Sequence, residues 1–173
     1  MEKRKCILYI TTSLDGFIAD ENGNRNMLIE QSRDEVGNLS QFLETVDVIL
    51  MGRKTYDQIK NLPEWPYPGK KVYVITHYLK QNDEHVTFIH ENIMGLVQDL
   101  KAQSGKNIWV MGGSEITNIL VKEGLLDEYV IITTPILLGK GVRLFKDDNP
   151  TVYLKLEESK AFNNCVLSRY VKK

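Results

Sequence analysis

Three apolar runs in this chain stop at residues suited to holding an anion. Ile108-Trp109-Val110-Met111 halts at Gly112-Gly113 and passes into Ser114-Glu115-Ile116, which reads as the start of a helix. Two residues without Cβ atoms let a backbone turn sharply and approach a ligand, while the free N–H groups and positive dipole of the following helix attract a phosphate. A plain strand-to-helix turn would use the same glycines, so this junction alone leaves both readings open. The second run, residues 46–51, has a buried-strand pattern and leads into Gly52-Arg53-Lys54-Thr55. Arg53 supplies a planar fork matched to phosphate, Lys54 a point charge, and Thr55 an N-cap and a hydroxyl donor. The third, Lys71-Val72-Tyr73-Val74-Ile75, closes on Thr76-His77, a hydroxyl and an imidazole. In open α/β sheets ligands sit beyond the carboxyl ends of the strands, so three such ends imply one shared crevice.

The elements that must position these ends follow from periodicity. Residues 6–12 read as a strand, and Ser13-Leu14-Asp15-Gly16-Phe17-Ile18-Ala19 carries it through a turn into a short extended piece. Residues 20–27, dense in Asn and Gly, read as a loop. Val36, Leu39, Phe42 and Leu43 recur at helical spacing behind Ser32, with Glu35 in capping-box position, so one helix is expected over 32–44. Then come the strand 46–51, a helix near 55–60, a Pro-rich connection 62–69, and strands at 71–76 and 86–90. A helix over 92–103, the strand 107–111, a helix over 114–122 ended by Gly124, and a strand over 128–134 complete the alternation. After Pro135, Gly139-Lys140-Gly141 reads as a tight turn, and 152–156 with 164–171 as a terminal antiparallel pair. The expected class is α/β: a mixed, mostly parallel central sheet with an antiparallel C-terminal pair and flanking helices, in one domain over 1–173.

Composition excludes several function classes. Lys and Arg number 22 against 23 Asp and Glu, so the overall field attracts neither nucleic acid nor an anionic membrane. Lys3-Arg4-Lys5 and Lys172-Lys173 are short and lack interleaved aromatics, which fits solvated termini. Cys6 and Cys165 sit among apolar neighbours, as small buried hydrophobes in a reducing compartment do. No CxxC occurs, and His77, His85 and His90 lack zinc-ligand spacing, so no metal is expected. No apolar run suits a secretory or membrane-spanning segment, and a cytoplasmic protein is the expectation.

Taken in order, Leu14-Asp15-Gly16-Phe17-Ile18-Ala19, Met51-Gly52-Arg53-Lys54-Thr55-Tyr56, Val110-Met111-Gly112-Gly113, and Leu138-Gly139-Lys140-Gly141 with Leu144-Phe145 resemble the dihydrofolate reductase-like superfamily. More narrowly, the chain resembles the RibD C-terminal domain family, the reductase module of riboflavin biosynthesis and its stand-alone bacterial-type relatives. That resemblance implies a three-layer sandwich around a sheet of about eight strands, with NADPH lying extended across the strand ends. It implies that Gly52, Arg53, Lys54 and Thr55 bind the adenosine phosphates, with Arg53 and His77 near the 2′-phosphate and Thr76 adding a hydroxyl. Met111, Gly112, Gly113, Ser114, Glu115 and Ile116 would cradle the pyrophosphate, and Thr11 and Ile18 would border the nicotinamide. The GxGxxG fingerprint is absent, as in that superfamily. Family members often pair, so a homodimer is expected.

The chain departs from the pattern at two places. The acidic residue by which dihydrofolate reductases meet the pterin falls on or near Val36, whose aliphatic side chain protonates nothing; Asp34 and Glu35 lie at a different helical angle. Where the riboflavin-pathway domain usually carries a lysine, this chain has Phe17, leaving Arg25, Arg33, Lys140 or Arg143 as possible phosphate partners from the loops. No deaminase module precedes the motifs, so a stand-alone reductase with an unassigned small heterocyclic or carbonyl substrate is expected. Asp15 and Asp34 are the candidate catalytic acids, against the turn-forming and helix-dipole roles that Asp commonly fills. Thr133 and Thr134 are candidate substrate donors, and Trp65 and Tyr67 either wall a pocket or pack a loop. The competing reading is a nucleotide-binding or sensor protein on the same fold that lacks turnover.

Overall fold

The computed structural model describes residues 4–32, 38–78 and 80–173. In chain order the elements are β1 (Cys6–Thr12), β2 (Phe17–Ala19), α1 (Asn26–Ser32), α2 (Asn38–Glu44), β3 (Val46–Gly52), α3 (Arg53–Ile59), β4 (Lys71–Ile75), β5 (Val86–Ile89), α4 (Ile93–Ala102), β6 (Asn107–Gly112), α5 (Ser114–Lys122), β7 (Glu128–Thr133), β8 (Val142–Arg143), β9 (Leu154–Phe162) and β10 (Cys165–Lys172). One sheet has the order β5-β4-β3-β6-β1-β7-β10-β9, and β2 pairs with β8 apart from it. From β5 to β7 the neighbours run parallel, while β10 and β9 are antiparallel. The parallel strands are near-continuous apolar runs because both of their faces are covered.

On one face Leu8, Leu50, Ile108 and Val110 pack against Val97 and Leu100 of α4 and Ile116 and Leu120 of α5. On the other, Ile7, Tyr9, Ile49, Met51, Trp109 and Met111 meet Tyr56 of α3, Phe42 of α2, and Trp65 and Tyr67 of the Pro-rich connection. Fully burying one such Leu or Ile stabilises the fold by about 1.5–3 kcal/mol. Trp109 is core, as its place in a strand predicts; its indole N–H donates to the Tyr9 carbonyl at 3.0 Å, which removes the cost of burying it.

Late in sequence, β6 is inserted between strands made earlier: Ile7 of β1 and Ile49 of β3 both stand opposite Trp109. Side by side at one end of the sheet therefore lie the carboxyl ends of β4, β3, β6, β1 and β7. Strand order changes direction here, which is where open α/β sheets form their crevices.

Four local expectations are corrected. The 20–27 loop is shorter than expected, because Asp20 Oδ1 accepts the Asn22 and Asn24 amides and Asn24 Oδ1 accepts the Asn26 amide, starting α1 at Asn26. Ser32 ends α1 instead of capping a helix, and α2 starts at Asn38; Arg33, Asp34, Glu35 and Val36 lie outside the described residues. The terminal pair is longer than its alternation suggested, 154–162 with 165–172, because Asn163 and Asn164, at φ +44° and +62°, supply the left-handed two-residue turn that matches strand twist. No strand was expected at Val142-Arg143, a pair too short to show a period, yet it pairs with β2.

Cys6 and Cys165 are buried thiols not joined in a disulfide, and burial pushes the Cys6 thiol up to about 12. Among the described residues no helix is long and apolar enough to cross a membrane, and no cluster of His, Cys, Asp and Glu could hold a metal ion.

Candidate functional site

The strand ends singled out by residue type meet. A Cβ on Gly52, at the end of β3, would stand 3.5 Å from the Gly113 nitrogen and 3.8 Å from the Gly112 carbonyl oxygen, so the two backbones lie against each other. Gly112 has φ +93°, and a Cβ there would also come within 2.9 Å of Ile10 Cδ1; glycine is the residue that fits. The Gly112–Gly113 peptide bond is cis. Gly113 differs from Gly112: its backbone is extended, and a Cβ would meet only Ile18 Cδ1 at an ordinary 3.7 Å. The polypeptide leaves room there for a side chain that the sequence does not use.

Helix α5 starts at this notch. Its first internal hydrogen bond is Thr117 N–H to the Gly113 carbonyl at 3.2 Å, leaving the Ser114, Glu115 and Ile116 amides without a helical carbonyl to reach. Side chains here have other work. The Ser114 hydroxyl donates to the Leu144 carbonyl at 3.2 Å, and Asn118 Nδ2 donates to the same oxygen at 2.8 Å. Asn118 Oδ1 accepts the Lys146 amide at 2.9 Å. Ser114 thus offers a ligand its backbone, its hydroxyl being spent on fastening the segment after β8, and Ile116 is a core residue.

At the end of β3 the N-cap of α3 is Gly52, not the expected Thr55, which lies buried in the first turn. Arg53 Nε donates to Asp57 Oδ2 at 3.0 Å and Lys60 Nζ to Asp57 Oδ1 at 2.8 Å. These hydrogen bonds, Lys60 foremost, hold the Asp57 carboxyl below its ordinary range. The terminal nitrogens of Arg53 and the exposed Lys54 remain for an anion. After β4, Thr76 is buried and its hydroxyl oxygen accepts the Tyr78 amide at 3.2 Å. His77 Nε2 lies 2.9 Å from Glu115 Oε1, joining the end of β4 to the first turn of α5 across the end of β3.

On the β1 side Thr11 is half-buried and continues the Ile7–Tyr9 row, while Ile18 is buried beside Gly113. Thr133 is half-buried at the end of β7. Thr134 spends both its N–H and its hydroxyl on the Thr12 carbonyl, at 2.9 and 3.0 Å, closing the β1–β7 seam.

Asp15 is fully engaged. It accepts from the Ser13 hydroxyl at 2.6 Å, the Leu138 amide at 3.1 Å and the Gly139 amide at 2.7 Å. These donors, the Ser13 hydroxyl most of all, lower its carboxyl to about 2. Asp15 therefore buckles the β1–β2 turn to the loop before β8 as a carboxylate. Beside it the Arg143 guanidinium lies 4.9 Å over the Phe17 ring, so a cation reaches β2 from β8. Lys140 pairs with Glu21 at 2.6 Å.

The sequence offers Arg25 as one of four loop cations for a phosphate, and Tyr67 as either a pocket wall or loop packing, without joining the two. Tyr67 Oη lies 3.9 Å from Met111 Sδ, directly before the glycine pair, and Arg25 is its electrostatic neighbour. The only available signal was Trp65-Pro66-Tyr67-Pro68, a rigid segment able to hold a ring in place; its destination depends on long-range packing. A surface hollow of about 420 Å³ lined by Val121, Gly124, Val152 and Tyr153 lies at the far end of α5, away from all these groups.

The RibD C-terminal domain model matches residues 4–168. The chain is 40% identical over 172 residues to the uncharacterized protein YwjB of Bacillus subtilis (strain 168), with 98% of this chain and 99% of that protein covered. The crystal structure of a "Putative riboflavin biosynthesis protein" from Shewanella sp. PV-4 superposes with TM-score 0.84 at 30% identity, over 98% of this chain and 99% of that one. A diaminohydroxyphosphoribosylaminopyrimidine deaminase/5-amino-6-(5-phosphoribosylamino)uracil reductase from Thermotoga maritima shares the fold, with TM-score 0.75 at 15% identity over 99% of this chain and 57% of that one.

Proposed function

The chain belongs to the RibD C-terminal domain family, and on that premise we propose that it is an NADPH-dependent reductase that transfers a hydride to a small heterocyclic or carbonyl substrate. The observation that carries this reading is Gly113. Nothing in the polypeptide requires a bare backbone there, since a Cβ would make only ordinary contact with Ile18. A bare backbone between three amides that lack a helical carbonyl and the end of β3 suits an extended dinucleotide, whose pyrophosphate would take the Ser114, Glu115 and Ile116 N–H groups. Arg53, Lys54 and His77 would hold the 2′-phosphate region, with Thr55 and Thr76 packed beneath them, and Thr11, Ile18 and Met111 would border the nicotinamide. Bound there, NADPH supplies the hydride.

The protein's contribution is position and dryness. Ile18, brought over Gly113 by the β2–β8 pair, covers the reacting face, and Asp15 keeps that cover closed through Leu138 and Gly139. Asp15 acts as a carboxylate and is not a proton source near neutral pH. Asp34 stays a candidate acid, and Thr133 a candidate substrate contact with Thr134 behind it. Pyrimidines are the first class to test, since the Thermotoga maritima fold neighbour is named a 5-amino-6-(5-phosphoribosylamino)uracil reductase; pterins and quinones follow. A nucleotide-binding protein without turnover is the second reading, favoured by the commitment of Asp15 to loop closure. Calorimetry with NADPH should show saturable binding, and substrate-dependent loss of nicotinamide absorbance separates the two readings. Absence of heat with both NADPH and NADH would end them together. A homodimer belongs to the proposal, and sedimentation equilibrium tests it.

A further inference from the structure

We propose that Arg25 and Tyr67 are the substrate's docking point and select a molecule bearing a single carboxylate; this rests on the reductase reading and adds the substrate's chemical class to it. Arg25 stands just before α1 and is half-buried. Among the described residues the other arginines have partners: Arg4 pairs with Asp47, Arg53 with Asp57, and Arg169 with Glu128 and Glu158, while Arg143 lies over Phe17. Arg25 faces no carboxylate among them. Its electrostatic neighbour is the Tyr67 phenol, and burial disfavours its charge. A half-buried guanidinium without a counter-charge is held at a cost, which a ligand bringing that charge to the crevice would offset.

Tyr67 adds a second donor, held only by a thioether among the described residues. Burial pushes its phenol up to about 12, so it keeps its proton at neutral pH, and among the described residues its hydroxyl has only the weakly accepting Met111 Sδ at 3.9 Å. The ring is held between Pro66 and Pro68, edge-on to Trp109 at 5.6 Å and Trp65 at 5.9 Å, and Trp65 Nε1 donates to the Tyr67 carbonyl. Gln58 of α3 donates to the Gly23 carbonyl at 3.0 Å, which ties the loop carrying Arg25 to the helix that follows Gly52. The guanidinium and the phenol thus lie within electrostatic reach of each other beside Met111, one residue before the glycine pair, with no carboxylate on either among the described residues. One guanidinium in an aromatic wall neutralises one negative charge, and its planar fork fits a carboxylate. A phosphate dianion would leave one of its two charges unmatched at the same half-buried guanidinium.

Calorimetry of the full chain against benzoate, benzamide and phenyl phosphate, with and without saturating NADP+, tests this. Benzoate should bind with a Kd at least about tenfold below either analogue, the order expected of a charge-assisted pair. Arg25→Gln should weaken benzoate about tenfold, Arg25→Lys should restore part of it, and Tyr67→Phe should weaken it about threefold. Unliganded Arg25→Gln should melt no lower than the parent, because the substitution relieves an unpaired charge. Unchanged benzoate binding in both Arg25→Gln and Tyr67→Phe overturns the proposal, as does a lowered melting temperature with unaltered affinity, the mark of a structural guanidinium. Phenyl phosphate binding tighter than benzoate overturns the single-charge assignment. Normal NADP+ binding without benzoate binding sinks this inference alone; no binding of NADP+ or NADPH sinks the reductase reading and this inference with it.

Discussion

Replacing Arg53 by alanine should weaken NADPH by roughly 5- to 30-fold while changing NADH by less than about threefold. The magnitude follows from what surrounds the guanidinium. A charge-assisted hydrogen bond contributes about 1.5–3 kcal/mol, and the 38% exposure of the Arg53 side chain reduces this to about 1–2 kcal/mol through solvent screening. The stability cost is small. Arg53→Ala breaks an i,i+4 pair worth about 0.3–0.5 kcal/mol, and Asp57 keeps Lys60 at 2.8 Å. Asp57 competes with a phosphate for Arg53 Nε, so Asp57→Asn should tighten NADPH by about two- to fivefold and leave NADH unmoved. Titration calorimetry of the single and double variants with both coenzymes, at low and high salt, gives the coupling directly, and the NADPH effect should shrink as salt screens the exposed charge. Equal losses for the two coenzymes on removing Arg53, or no response to Asp57→Asn, would detach this residue pair from the 2′-phosphate.

Gly113→Val should fold, with a loss of about 1–2 kcal/mol as Ile18 yields, and bind neither coenzyme detectably; undiminished binding in calorimetry would move the cradle elsewhere. Gly141→Ala should cost about 2–4 kcal/mol in a urea melt, because Gly141 has φ +143° and a Cβ there would drive into the Ala19 carbonyl oxygen; a loss below about 0.5 kcal/mol would mean that β2 and β8 slide freely. Asp15 has a folded-state carboxyl near 2 against an ordinary 3.8, so its contribution is present above about pH 4 and is lost as pH falls towards 2. Asp15→Asn should therefore flatten acid unfolding in that window and speed hydrogen exchange at Leu138 and Gly139; an unaltered acid limb would show that the buckle contributes nothing.

Much of the sheet was legible because buried parallel strands announce themselves: 46–51, 107–111 and 128–134 are apolar runs bounded by turn formers, and all three lie in the core. The three donor-bearing strand ends were legible for the same reason, since glycines and cations that interrupt such runs stand out. What the sequence concealed was the use of each hydroxyl and carboxylate. Ser114, Thr134 and Asp15 look like ligand-binding groups by type, yet each bonds a main-chain group far along the chain, at Leu144, Thr12 and Leu138–Gly139. Arg25 shows the reverse: the sequence offers it only as one of several loop cations that could meet a phosphate, and its half-burial and its electrostatic neighbour Tyr67, 42 residues on, come from long-range packing. Local period reveals which residues lie at a strand end; it is blind to which partner arrives there.

The insertion of β6 has a consequence for how the molecule is made. Cys6 finds its neighbours only when Ile108 on one side and the β7 register, which begins at Glu128, on the other have been synthesised. Until then the first strand of the nascent chain presents two open edges, and pairings this distant in sequence are slow to close. Joining β1 to β3 and forming the glycine notch are one event, because β6 supplies both. On the proposed reductase reading, coenzyme would favour only the finished molecule over partly assembled forms, and its addition during refolding should raise the yield of native protein without hastening the earliest collapse.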